Sequence, residues 1–173
     1  MAFVVEIGTG LATATAYVDV AFVDAYFLDR NNLNWTASTL QKQAAIIKAT
    51  DYIDTRWGNS FLGRSEFPDI PQALCFPRLN ILNKDGRFVT GIPTNLKKAT
   101  AEYALRALTL TLLPDPTIDD SGRPISSKTE KVGPIEQSTD YEVSGTAPII
   151  LRPYPAADRL LFDYISPSGR NFR

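Results

Sequence analysis

The sequence contains no histidine, which removes the commonest general base, the commonest metal ligand and every histidine-dependent triad. Its one cysteine, Cys75, excludes an intrachain disulfide and a cysteine-cluster metal site, and reads as a buried thiol. No apolar run approaches the roughly 18 residues of a membrane span, and the start has neither the basic region nor the apolar core of a signal peptide. A soluble intracellular protein with no membrane partner is expected. An excess of charge of one sign is missing too. A formal net charge of −1 argues against a protein whose main task is gripping nucleic acid, because phosphate neutralisation needs clustered Lys and Arg. The balance shifts along the chain: residues 1–113 carry 11 basic and 10 acidic groups, residues 114–150 carry 3 and 7, and residues 151–173 carry 4 and 2.

What is present suits one domain. The 173 residues, 44% of them apolar, can bury a sizeable core. Residues 1–113 read as a helical core, entered through an extended, glycine-punctuated lead-in from Ala2 to Tyr17. Asp19 is an expected N-cap for a helix over Val20 to Arg30, with Val23, Tyr26 and Phe27 on one face. Ser38 and Gln41 stand at capping-box spacing, opening a second helix whose stripe of Ile46, Thr50, Ile53 and Trp57 runs to Gly58. Residues 58–92 form a long ordered loop, with Asp85-Gly86 turning a small hairpin between Ile81-Leu82 and Arg87-Phe88-Val89. A third helix, apolar on most sides and therefore central, is expected from Pro93 at its first position to Leu113. Residues 114–150 make a polar, acidic arm in which Lys131–Glu136 and Tyr141–Val143 pair as a β-hairpin or add to a neighbour's sheet edge. Residues 151–173 hold a short helix from Pro155 to about Ile165 and an extended tail from Ser166. The fold class is mainly α: a small helical bundle of about four helices with a long irregular loop, a hairpin arm and an extended C-terminal tail.

Few residues offer chemistry. Asp51 and Asp54, one helical turn apart near Lys48 and Arg56, read as a solvated, charge-paired face. Gly8-Thr9-Gly10 is a GxG fragment without the third glycine or the lysine of a phosphate loop. No catalytic, cofactor-binding or metal-binding residue is assigned, and an enzyme is not expected. Aromatic and basic residues alternate at Phe76 to Arg78, Arg87-Phe88 and Phe172-Arg173, as in proteins that stack single-stranded bases, although aromatics and arginines are equally at home where protein meets protein. Phe76 reads as core or interface, and Arg78 as a residue with a specific polar partner. Lys97 and Lys98 sit in the first turns of a helix, where positive charge gains nothing from the macrodipole, which leaves a solvated face, an acidic partner or DNA. Candidate interface residues are Phe76, Arg78, Lys97, Lys98, Lys131, Tyr141, Arg170, Phe172 and Arg173.

The run Gln72 to Arg78, the turn Asp85-Gly86 and the helix opening Ile92 to Glu102 occur in that order. With Val4 to Leu11, Ala49 to Asp54, Lys131 to Ile135 and Tyr154-Pro155, they resemble the head-tail connector proteins of tailed bacteriophages, also called adaptor or head-completion proteins. Some members of that group are labelled DnaT-like single-stranded DNA-binding proteins. The resemblance implies a structural virion protein of the neck, made in the host cytoplasm. It would form a homo-oligomeric, twelvefold ring beneath the portal and extend the channel through which double-stranded DNA passes without sequence-specific binding. It would also dock a downstream neck or tail protein, with Arg170, Phe172 and Arg173 seated on the portal. The alternative, from a different class, is a single-stranded DNA-binding replication accessory of DnaT type.

Overall fold

The computed structural model describes residues 2–69, 71–83, 85–115, 125–131, 136–141 and 151–166. The chain forms two compact units, residues 1–112 with 153–173, and residues 113–152. Mainly α structure is observed: four α-helices among the described residues, with short antiparallel strand pairs between them.

Helix α1 (Val20–Leu28) starts where expected, with the Asp19 carboxylate accepting from the Phe22 N–H at 2.7 Å, and it buries Val23, Tyr26 and Phe27. Helix α2 (Thr39–Trp57) carries the full capping box, since Ser38 accepts from the Gln41 N–H and Gln41 accepts from the Ser38 N–H. Its buried stripe of Ile46, Ala49, Thr50 and Ile53 faces helix α3 (Thr94–Ala107). Pro93 is the cap of α3, one position earlier than expected, and the helix stops six residues short of Leu113. The early stop has a packing reason. After Leu108 the N–H groups of Thr109 and Leu110 both turn to the Arg106 carbonyl, and the chain leaves the axis to bury Leu112 near Tyr154, while Leu110 and Leu113 stay exposed. Helix α4 (Pro155–Leu161), prolonged by a 3₁₀ turn Phe162–Tyr164, packs on α3 and buries Leu161 and Tyr164.

Three tyrosine rings lock these helices edge to face: Tyr52 of α2 lies 5.0 Å from Tyr103 of α3 and 5.9 Å from Tyr154 at the start of α4. The polar ends of this cluster converge on Asp158. Its carboxylate accepts from the Tyr103 hydroxyl, from the Arg56 guanidinium at 3.1 Å and from the Tyr154 N–H at 3.0 Å. Burial, and then the bond to Asp158, push the Tyr103 hydroxyl well above the ordinary tyrosine range. A buried carboxylate is tolerated because these three hydrogen bonds and the paired guanidinium offset its lost hydration.

The lead-in is extended, and Val5 pairs with Ala16 in a parallel bridge. Glu6 is 1% exposed. One of its oxygens accepts from the N–H groups of Gly8, Thr9 and Gly10, and the other from Leu11, at 2.7–3.0 Å. Gly8 and Gly10 both have positive φ, and a Cβ at Gly10 would lie 2.6 Å from the Phe67 ring. The GxG fragment is thus an anion nest filled from within.

Between α2 and α3 the chain crosses itself in an irregular antiparallel ribbon. Strand β1 (Arg64–Ser65) pairs with β2 (Arg78–Leu79). Leu82 then opposes Phe88 across the turn at Asp85-Gly86, as expected. Asp54 does not join a solvated acidic face: it points inward, accepting from the Tyr17 hydroxyl and from the Cys75 N–H at 3.0 Å, and burial raises its pKa. Arg56, its expected neighbour, pairs instead with Asp158 at 3.1 Å. In residues 113–152, β3 (Ile125–Lys131) pairs with β4 (Glu136–Tyr141). A hairpin therefore forms, but with Lys131 opposite Glu136 and arms displaced from the expected 131–136 and 141–143. Both arms are polar at alternate and intervening positions alike, so no period-2 apolar signal marked their register.

Two stability predictions follow from these contacts. Removing one partner of the buried cluster with Asp158→Ala should lower the unfolding free energy by about 3 kcal/mol in urea titration, and Tyr103→Phe by about 1 kcal/mol; a loss below about 1 kcal/mol for Asp158→Ala would show that the helices are held otherwise. Burial, and then the Asp54 carboxylate, push the Cys75 thiol up to about 12. Its native reaction with a disulfide reagent at pH 8 should be at least about a hundredfold slower than in denaturant, because the thiolate is the reacting species. Equal rates would place the thiol in solvent.

Candidate nucleic-acid interface

Of the three places where aromatic and basic residues alternate, the fold disposes of each differently. Phe76 is fully enclosed, edge-on to Phe61 at 4.9 Å, Tyr164 at 6.2 Å and Tyr17 at 6.4 Å. Arg78 does have specific partners, and they are main-chain carbonyls: Nε donates to Leu62 at 2.8 Å, Nη2 to Gly63 at 2.9 Å and to Phe61 at 3.4 Å, and Nη1 to Cys75 at 3.4 Å. Neither residue presents anything to a ligand. Arg170, Phe172 and Arg173 lie outside the described residues, as do the side chains of Lys131 and Tyr141, whose backbones fall in β3 and β4.

Arg87-Phe88 is different. The hairpin that bears it is tied by the Asn83 N–H donating to the Arg87 carbonyl at 2.9 Å and the Val89 N–H donating to the Ile81 carbonyl at 2.9 Å. That makes Leu82 and Phe88 a directly opposed pair without bonds of its own, the arrangement that brings cross-strand side chains closest. Ile81 turns into the core with no exposed surface, so its neighbour Leu82 turns outward, 49% exposed, beside Phe88 at 69%. The Asn83 carboxamide accepts from the Asp85 and Arg87 N–H groups at 3.0 and 2.8 Å and stiffens the turn. The result is an apolar step on a rigid hairpin, with the exposed Arg87 at its edge.

Six residues beyond Phe88 the chain enters α3, with Lys97 and Lys98 half-buried in its first turns. Neither lysine nor Arg87 makes an ion pair among the described residues. Four acids are committed inside the protein: Glu6 to four amides, Asp54 to Tyr17 and Cys75, Glu102 to Arg106 and Tyr26, Asp158 to its cluster; Asp85, on the same hairpin as Arg87, is exposed. Arg56, Arg78 and Arg106 are committed in the same way, so Arg87, Lys97 and Lys98 stand out by their freedom from ion pairs and not by an excess of positive charge.

Among the described residues no group of three or more Cys, Asp or Glu side chains is placed to hold a metal ion. A groove of about 400 Å³ between the α1–α2 connection, α2 and the end of α3 brings in one charged side chain, Lys48. No helix among the described residues is long and apolar enough to cross a membrane. Sequence reasoning missed Leu82, whose role shows only in the cross-strand register, and Phe162, exposed with Arg159 one turn before it. The spacing of Arg159, Leu160, Leu161 and Phe162 was legible, but not which of its apolar residues would face out.

The chain matches no curated protein and no solved structure. The family model that it does match is described as "Putative DnaT-like ssDNA binding protein" and covers residues 1–173. That finding corrects the connector resemblance, together with the ring beneath the portal, the docking of neck or tail proteins and the virion role drawn from it. The physical reason is visible in the fold. Among the short motifs behind that resemblance, Val4 to Leu11, Gln72 to Arg78 and Ala49 to Asp54 hold residues that build the core and tie loops; these report how the chain folds and say nothing about what its surface meets. From its first residue to its last, the chain belongs to the family of DnaT-like single-stranded-DNA-binding proteins.

Proposed function

We propose that this protein captures single-stranded DNA and does so as a binding protein, making and breaking no bond. Family membership over residues 1–173 supports this reading, and the observation that carries it is the outward Leu82–Phe88 pair with Arg87 beside it. An unpaired base offers a flat apolar face that an exposed phenyl ring can stack on whatever the sequence, whereas a duplex hides those faces. Arg87, Lys97 and Lys98 supply the phosphate contacts. The absence of histidine from the chain favours capture over catalysis.

The low net charge sets the expected strength. With three phosphates neutralised, the affinity for single strands should fall with a logarithmic salt slope of about −2, a loss of roughly twentyfold between 50 and 200 mM salt. Fluorescence anisotropy with a labelled thymidine oligonucleotide of about 12 nucleotides tests this, and micromolar or tighter binding is expected at the lower salt. Phe88→Ala should weaken it by about 5- to 100-fold, the worth of one stacked base, without changing thermal stability. No binding by the wild type would overturn the function; binding that ignores Phe88→Ala would overturn the placement on this hairpin.

A further inference from the structure

We propose that the bound single strand runs over two aromatic steps, Phe88 on one outer segment of a ribbon and Phe162 in the turn that leads into the other, each with an arginine close to it in sequence. This rests on the single-stranded-DNA reading above and extends it to a second contact region. Among the described residues these are the only exposed aromatic rings, at 69% and 59%. Single exposed apolar side chains are ordinary. Here, however, each ring has an exposed arginine in the same local element: Arg87 immediately before Phe88, and Arg159 one helical turn before Phe162. Neither arginine makes an ion pair or a side-chain hydrogen bond among the described residues.

The two steps belong to one connected structure. The Leu62 N–H donates to the Tyr164 carbonyl at 2.8 Å and the Ser166 N–H to the Ser60 carbonyl at 2.9 Å, placing Ile165 opposite Phe61. Arg64 and Ser65 then pair with Leu79 and Arg78, and Ile81 receives the Val89 N–H. The order across the ribbon is thus 164–166, 60–65, 78–82, 87–89. With neighbouring segments ~4.8 Å apart, its outer segments stand about 15 Å from one another, with Phe88 on one of them and Phe162 two residues before the other, a spacing on the scale of a few extended nucleotides. The exposed Arg64 lies on an inner segment. The acids on these segments and in the turns next to them are Glu66, Asp85 and Asp163, against Arg64, Arg78, Arg87 and Arg159, of which only Arg78 is committed to carbonyls. Cationic groups alternating with flat apolar faces complement a phosphate backbone carrying unpaired bases.

The test uses the full chain and a labelled thymidine oligonucleotide of about 12 nucleotides, comparing wild type, Phe88→Ala, Phe162→Ala, Phe162→Trp and Arg159→Ala. Phe162→Ala should weaken binding at least about fivefold at unchanged melting temperature, Phe162→Trp should restore it, and Arg159→Ala should flatten the salt slope. If Phe88→Ala weakens binding and Phe162→Ala does not, the second step is overturned while the single-strand function stands. If the wild type fails to bind, the function itself falls and the track with it. A change in sedimentation mass for Phe162→Ala with DNA affinity intact would also overturn it, marking Phe162 as a contact between copies.

Discussion

One guanidinium organises the part of this protein that faces outward. Arg78 gives its N–H groups to the carbonyls of Phe61, Leu62, Gly63 and Cys75, and so holds the segment leaving α2 against the segment leading to α3. Those carbonyls lie in irregular backbone that has no helix or ladder to satisfy it. Burying them without a donor would cost a few kcal/mol each. A lysine could not replace the planar fork, which reaches several acceptors at once. The neighbouring Phe76 fills the space beneath, wedged among Phe61, Tyr17 and Tyr164. Together they turn a loop of more than thirty residues without long strands into a platform rigid enough to display Leu82 and Phe88.

The same economy governs the acids. Glu6, Asp54 and Asp158 are drawn inward to serve backbone amides, tyrosine hydroxyls and one arginine. Each is tolerated because both of its oxygens accept hydrogen bonds. Arg64, Arg87, Lys97, Lys98 and Arg159 remain without ion pairs among the described residues, enough for moderate, salt-sensitive capture and too few for a tight grip.

Much of the fold was legible. Asp19 and the Ser38–Gln41 box announced two helix starts because a cap is local chemistry, complete within four residues. The buried stripes of α1 and α2 followed from helical spacing alone. Elements that depended on distant partners were misplaced. The end of α3 was set by Leu112 reaching Tyr154, 42 residues away, and the polar arms of β3 and β4 carried no pattern from which to read their register. Asp54 was read from its neighbours Lys48 and Arg56, but its partners come from Tyr17 and Cys75.

The three aromatic–arginine motifs show where local reading ends. Composition and spacing determined that the chain would be mainly helical, capped at stated residues, lacking histidine chemistry and carrying aromatics beside arginines. They made Phe76-Pro77-Arg78 and Arg87-Phe88 look alike. Tertiary structure alone decided that the first would be walled in by rings and spend its guanidinium on carbonyls, while the second would stand out on a hairpin. The physical reason is that burial is a property of what arrives from elsewhere in the chain. Phe61, Tyr17 and Tyr164 close over Phe76, and among the described residues nothing closes over Phe88 or Phe162.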